Sequence, residues 1–332
     1  MTRKTFGPNQ LEKMLMPQRS PTLESRRDSL LSATLALPLL LLILTLCGLS
    51  QQPGQKTFAS ADEASQALFA AAQSGDKRAL LDILGPAGAP IVSSSDDVQD
   101  KKSRDEFVTR YQEMHRLAKE PDGTTTLYIG AENWPVPLPL VSKGGVWYFD
   151  TATATQEILF RRIGKNEFAA MEVLDALIDA ENDYYSQPRD GKPQQYAQKF
   201  ASDEGQHNGL YWKASGDEPQ SPAGPLVAYA TGEGYGKKQG ESPSPFHGYY
   251  YRILTGQGKS APGGAKSYVV NGDMTGGFTL LAYPADYRSS GVMTFIVNQD
   301  GVIYEKDLGP KTADLASAIK GYSPDKSWRK AE

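Results

Sequence analysis

Residues 166–185 read NEFAAMEVLDALIDAENDYY. Apolar side chains fall at Ala170/Met171, Leu174, Leu177/Ile178 and Tyr184/Tyr185, the three- and four-residue steps that line one face of an α-helix. Asn166 is a residue type that caps helix starts, so the spacing predicts a helix from there to Tyr185. Glu172, Asp175, Asp179, Asn182 and Asp183 recur on the other side and read as a solvated acidic face, not as a metal site. Such a stripe needs a surface to bury it, and the chain beyond Pro188 supplies strand-like runs at 226–230, 249–255, 268–270, 278–283, 293–298 and 302–305. Asn298-Gln299-Asp300-Gly301 joins the last two as a hairpin turn; a calcium loop would need a Glu where Gly309 stands. Thr312 opens a short helix with Leu315 and Ile319 inward, closed by Gly321. Residues 156–332 are thus expected to form an α+β module, a long helix packed on an antiparallel sheet.

The preceding hundred residues predict a second α+β module over 56–155. Ser60-Ala61-Asp62-Glu63 is a capping box leading into Ala64, Leu68 and Ala71, and a short helix with Leu80, Leu81 and Leu84 stops at Gly85-Pro86. Residues 87–102 read as a polar loop. Ser103-Arg104-Asp105-Glu106 repeats the capping pattern ahead of Phe107, Tyr111, Met114 and Ala118, which share a helical face. Turn signals at Asp122-Gly123 and Lys143-Gly144-Gly145 then divide three strands, 124–130, 134–141 and 146–150.

Residues 1–50 carry a different message. Arg26 and Arg27 precede a nearly uninterrupted apolar run, 30–49, followed by Ser50, Gln51 and Gln52. This is the pattern of an export signal, cleaved after the small residues Gly48 and Ser50 or retained as a membrane anchor. Ser25 to Leu31 also resembles a twin-arginine signal, with Ser29 departing from it. Cys47, the single cysteine, is a lipid-attachment candidate, although Leu46 stands where a small residue is wanted. The expected location is outside the inner membrane, either periplasmic or tethered there through 30–49. Six of 35 basic and three of 39 acidic residues lie in residues 1–50, which leaves 29 against 36 beyond them and a net charge near −7. With no basic stripe, nucleic acid is not expected as a partner.

Four segments carry a family resemblance. Arg161-Arg162-Ile163-Gly164-Lys165-Asn166-Glu167, Gly209-Leu210-Tyr211-Trp212, the run from His247 to Leu254, and the run from Gly291 to Asn298 resemble the bacterial family called domain of unknown function 2950. That resemblance spans roughly residues 57 to 328 and implies an exported protein with no assigned reaction. The second half is also similar in element order to type IV pilin and pseudopilin heads. The first half, closing on Gly145-Val146-Trp147-Tyr148-Phe149-Asp150, is similar to the cone-shaped nuclear-transport-factor-two-like fold. Neither likeness selects an activity.

No Gly-x-Ser-x-Gly elbow, His-Glu-x-x-His or phosphate-cradling loop occurs, and Gly232-Glu233-Gly234-Tyr235-Gly236 reads as a flexible loop. Neither a cofactor nor a metal site is implied. Of the three histidines, His115 belongs to a predicted helix surface, while His207 and His247 are candidate acid/base groups with Asp203 or Glu204 as carboxylate partners. Tyr211, Trp212, Tyr249 and Arg252 are candidate ligand-binding residues, aromatic faces and a cation suited to sugars. The reading is a non-catalytic binding or interaction module that meets an envelope protein or cell-wall component. The alternative is an envelope glycan-processing enzyme or hydrolase using His207 or His247.

Overall fold

The computed structural model describes residues 51–216, 218–235 and 244–331. The export segment and Cys47 lie outside them. Among the described residues no helix is long and apolar enough to cross a membrane.

The class is mixed α+β. Helices α1 (Ala61–Ser74), α2 (Lys77–Leu84), α3 (Ala89–Val92) and α4 (Asp97–Glu113) come first. Strands β1 (His115–Lys119), β2 (Thr125–Ile129), β3 (Trp134–Pro135), β4 (Leu140–Lys143) and β5 (Val146–Phe149) follow. They form an antiparallel sheet in the order β1-β2-β4-β5, with β3 beside β2. The expected box at Ser60 caps α1: Ser60 Oγ accepts from Glu63 N at 3.0 Å, and Glu63 Oε2 reaches back to Ala59 N at 2.9 Å. Leu68, Leu80, Ile83 and Leu84 from the helices meet Leu127, Ile129, Leu140 and Phe149 from the sheet in one buried cluster.

The long helix, α5, runs unbroken from Thr151 to Tyr185 and is capped by Asp150, whose carboxylate accepts from Thr153 N. It is followed by α6 (Gly224–Gly232) and by β6 (Tyr249–Leu254), β7 (Gly256–Gln257), β8 (Lys266–Ser267), β9 (Val269–Val270) and β10 (Asp273–Met274). The chain ends in β11 (Thr279–Pro284), β12 (Met293–Asn298), β13 (Tyr304–Asp307), α7 (Thr312–Ala318) and β14 (Arg329–Lys330). The second sheet is antiparallel in the order β14-β13-β12-β11-β6. Its strands alternate as a two-faced sheet must. Leu280, Ala282, Phe295 and Val297 pack with Leu174 and Leu177 of α5, whereas Leu281 and Ile296 pack with Ala316 of α7 and Tyr322.

Several expectations are corrected. Asn166 is an interior residue of α5, not its cap, and is fully buried. The run 226–230 is helical: Pro225 enters the first turn of α6 and its apolar residues have no cross-strand partner. Ser103 lies inside α4, because Asp96 caps that helix seven residues earlier, and the expected loop over 87–102 instead holds α3 and the first turns of α4. The same helix stops at Glu113, so Ala118 belongs to β1. Leu315 is 46% exposed, since Ala316 takes the inward position in α7. The acidic face of α5 is solvated as its periodicity predicts, and Asn298 to Gly301 forms the turn between β12 and β13, with Gly301 N donating to Asn298 O.

Candidate functional site

Two clusters hold the titratable side chains, one at the middle of α5 and one at its C-terminal end. The first begins with Asp96, only 1% exposed. Its Oδ1 caps α4 by accepting from Gln99 N at 3.0 Å, and its Oδ2 accepts from Tyr235 Oη at 2.8 Å and from Gly248 N at 3.0 Å. Burial raises the carboxyl above its usual range, and the hydrogen bonds from Gln99, Tyr235 and Gly248 oppose that shift. Beside it, Gln99 Nε2 donates to Asn166 Oδ1 at 2.8 Å, and Asn166 Nδ2 donates to Ser290 O at 2.8 Å. At the next residue, Glu167 Oε1 accepts from Val292 N and Met293 N, each at 2.9 Å. Arg162 donates to Pro90 O and Ile91 O at 2.5 and 3.0 Å. The middle of α5 thereby fastens residues near 90–100 to residues near 290.

His247 stands over this junction. Its backbone is left-handed, φ 51°, as is that of Gly248, φ 73°. A Cβ at Gly248 would come within 2.5 Å of Asn166 Nδ2, so only glycine fits that close approach. The imidazole lies among Phe246, Tyr235 and Tyr229, with ring centroids 4.2, 5.7 and 6.2 Å away. Its Nε2 is 3.3 Å from Glu233 Oε2, and Glu233 also pairs with Lys102. Burial lowers the His247 pKa to about 4; the Glu233 charge opposes that, and Lys102 and Lys165 add to it. At neutral pH the ring is therefore uncharged, with Nε2 facing the Glu233 carboxylate.

The second cluster surrounds His207. Asp190, itself left-handed at φ 48°, accepts from His207 N at 2.7 Å and from His207 Nδ1 at 3.0 Å. Those bonds, the backbone one foremost, lower the Asp190 pKa. A carboxylate can only accept, so Nδ1 is the donor in this contact. His207 meets the Trp212 ring edge-on at 4.7 Å, Arg189 lies 5.0 Å from the Tyr184 centroid and 5.4 Å from that of Trp212, and Tyr184 Oη donates to His207 O at 2.7 Å. One turn before Tyr184 on α5 is Glu181, fully buried, whose Oε2 accepts from Ala197 N at 2.8 Å while Oε1 has no partner. Burial raises its carboxyl well above the usual range.

His207 and Trp212 are brought together. His207 and His247 are not: Gly248 abuts Asn166 and His207 meets Tyr184, 18 residues further along α5, roughly 27 Å of helix. Asp203 is held by Lys199 and by Asn208 Nδ2 at 2.8 Å, Glu204 is exposed, and the carboxylate on His207 comes instead from Asp190. Tyr211 is half-buried in a backbone bridge to residues 200–202. Trp212 is 8% exposed and donates Nε1–H to Pro219 O at 2.9 Å. Tyr249 is fully buried with its hydroxyl on Met293 O at 2.9 Å, and Arg252 donates to Ala316 O at 2.9 Å. Asp96, Asn166, Glu233 and Asp190 escaped sequence reasoning. For Asn166 a signal existed, since it continues the buried stripe of Ala170, Val173 and Leu177 toward the N-terminus.

The described residues thus form an α+β body with a polar junction at mid-helix and a histidine–carboxylate pair at the helix end. The chain belongs to the family described as "Protein of unknown function (DUF2950)", whose model matches residues 55–331. Three of the four segments that carry the resemblance, 161–167, 247–254 and 291–298, meet at the junction. No curated protein and no solved structure gives a significant match. The likenesses to pilin heads and to the cone-shaped fold therefore stay resemblances of element order.

Proposed function

We propose that this is an exported cell-envelope protein, periplasmic or tethered to the inner membrane by residues 30–49, that acts as a non-catalytic binding or interaction module. Its partner is an envelope protein or a cell-wall component. The observation that carries this reading is where the polar chemistry of the junction is spent. Asp96, Asn166, Glu167 and Arg162 all satisfy backbone or side-chain groups of the same chain, and His247 is held neutral against Glu233. Side chains used in this way stiffen a platform and leave no group free to transfer a proton to a substrate. The test is mild cross-linking of the full-length tagged protein in its native envelope, with captured molecules and cross-linked residues identified by mass spectrometry. One recurring partner, cross-linked at one surface, is the expected result.

A second reading, a glycan-processing enzyme or hydrolase, is favoured by one feature, the Asp190–His207 pair. The carboxylate orients the imidazole through Nδ1, the arrangement that positions a general base. Among the described residues no hydroxyl is hydrogen-bonded to that ring, so a nucleophile would have to be water. Release of soluble fragments from wall preparations by the wild type, lost in His207→Ala, would establish this reading over the first.

A further inference from the structure

A cavity of about 450 Å³ opens on the face of the second sheet away from α5, within the range of small-ligand sites. Its wall is the strand pair β7–β8 joined by a parallel bridge between Gln257 and Tyr322. Glycine makes this wall possible. A Cβ on Gly321 would fall 2.4 Å from Gly256 O, and one on Gly258 would fall 2.5 Å from Ser323 Oγ. Gln257 is buried and fully used, donating to Pro262 O and Gly264 O at 2.7 Å and accepting from Tyr268 Oη at 2.9 Å, so the wall is rigid. The groups it leaves to a ligand are the cations of Lys266 and Lys320, the Ser323 hydroxyl, the Ile319 side chain and the half-buried Trp328 ring.

The charges in this lining are one-sided. The whole chain is acidic, with a net charge of −4, yet both charged side chains of the cavity are cations. Among the described residues neither is paired with a carboxylate: Lys320 Nζ donates to Ser317 O at 3.1 Å, and Lys266 Nζ stands 5.7 Å from the Tyr268 ring centroid. Trp328 lines the same cavity as a flat ring, with Lys306 Nζ 5.9 Å from its centroid and held to Ser327 Oγ at 2.7 Å.

We propose that this cavity binds an acidic sugar, with the pyranose ring against Trp328 and its carboxylate between Lys266 and Lys320. The cation-and-plate chemistry follows from the lining alone; the choice of a sugar over another ringed carboxylate rests on the envelope reading above. Calorimetric titration of the purified full-length protein tests it with three probes: N-acetylmuramic acid, N-acetylglucosamine as a related ring without the carboxylate, and benzoate as a carboxylate on an aromatic ring. N-acetylmuramic acid is expected to bind at least about tenfold more tightly than the neutral sugar, and to weaken as salt screens the lysines. Lys266→Glu and Lys320→Glu, at exposed positions that leave the fold intact, should each weaken it about tenfold, and Trp328→Ala by a similar factor. No binding of N-acetylmuramic acid, or binding unchanged in both lysine variants, overturns the site. Benzoate binding as tightly as N-acetylmuramic acid overturns the sugar assignment alone. None of these outcomes alters the cross-linking result that tests the envelope reading.

Discussion

The junction at mid-helix and the cluster at the helix end are made of the same residue types, a histidine, carboxylates and aromatic rings, yet they differ in what is left over. At the junction the histidine side chain is 14% exposed, and the backbone beside it is held by a carboxylate from a distant segment, Gly248 N donating to Asp96. At the helix end the side chain of His207 is 30% exposed, its carboxylate lies 17 residues away, and one ring nitrogen stays open. Burial turns such a set into a fastening because each polar group withdrawn from water must find a partner inside the protein. Exposure removes that demand and leaves reactivity. The difference implies that junction variants act on stability and helix-end variants act on chemistry.

The largest effect is expected from Asp96→Ala. It removes the α4 cap and strands the Tyr235 hydroxyl and Gly248 N–H, so urea unfolding should show a loss of about 3 kcal/mol. A loss below about 1 kcal/mol would mean that the two halves are not held together there.

Next comes the pH dependence of His247. Its folded pKa, about 4, lies below its ordinary value of 6.5, so between those values the unfolded chain takes up a proton that the folded one refuses. Stability should fall as the pH drops from about 6.5 to about 4, by roughly 3 kcal/mol from this group. Asn tolerates the left-handed backbone at this position and does not titrate, so His247→Asn should flatten that slope in unfolding curves taken across the range. An unchanged slope would place the titration elsewhere.

A smaller change, of opposite sign, is expected near the helix end. Glu181 has a raised folded pKa, so its contribution is full below about 4.5 and declines as pH rises toward the folded value. Glu181→Gln should stabilise the protein by about 1 kcal/mol at pH 8 and by little at pH 4. Equal effects at both pH values would show that Glu181 does not titrate in this way.

The smallest stability change should come from Asp190→Ala, under about 1 kcal/mol because the pair is largely solvated. Its signature lies in reactivity. Diethylpyrocarbonate should modify His207 well before His247 in the wild type, read by mass spectrometry, and the variant should alter only the His207 rate. Comparable modification of both rings in the native protein would erase the distinction between the two clusters.

What the sequence determined by itself was local. The stripe from Ala170 to Tyr185 specified a helix and its buried face, the Ser60 box specified a helix start, and the runs 278–283 and 293–298 specified strands. Each is a pattern of burial or capping that repeats over a few residues, so neighbours in sequence suffice to reveal it. The family membership was legible for the same reason, from short contiguous segments. What only the tertiary structure decided was which polar groups meet. Asp96 with Gly248, Asn166 with Ser290 and Glu167 with Val292 are joined across 124 to 152 residues. A buried hydrogen bond depends on which atoms the folded chain brings within about 3 Å, and sequence separation carries no record of that distance. Even the start of α5 was settled this way, because a buried polar residue and a capping residue are both written Asn, and only the packing around residue 166 tells them apart.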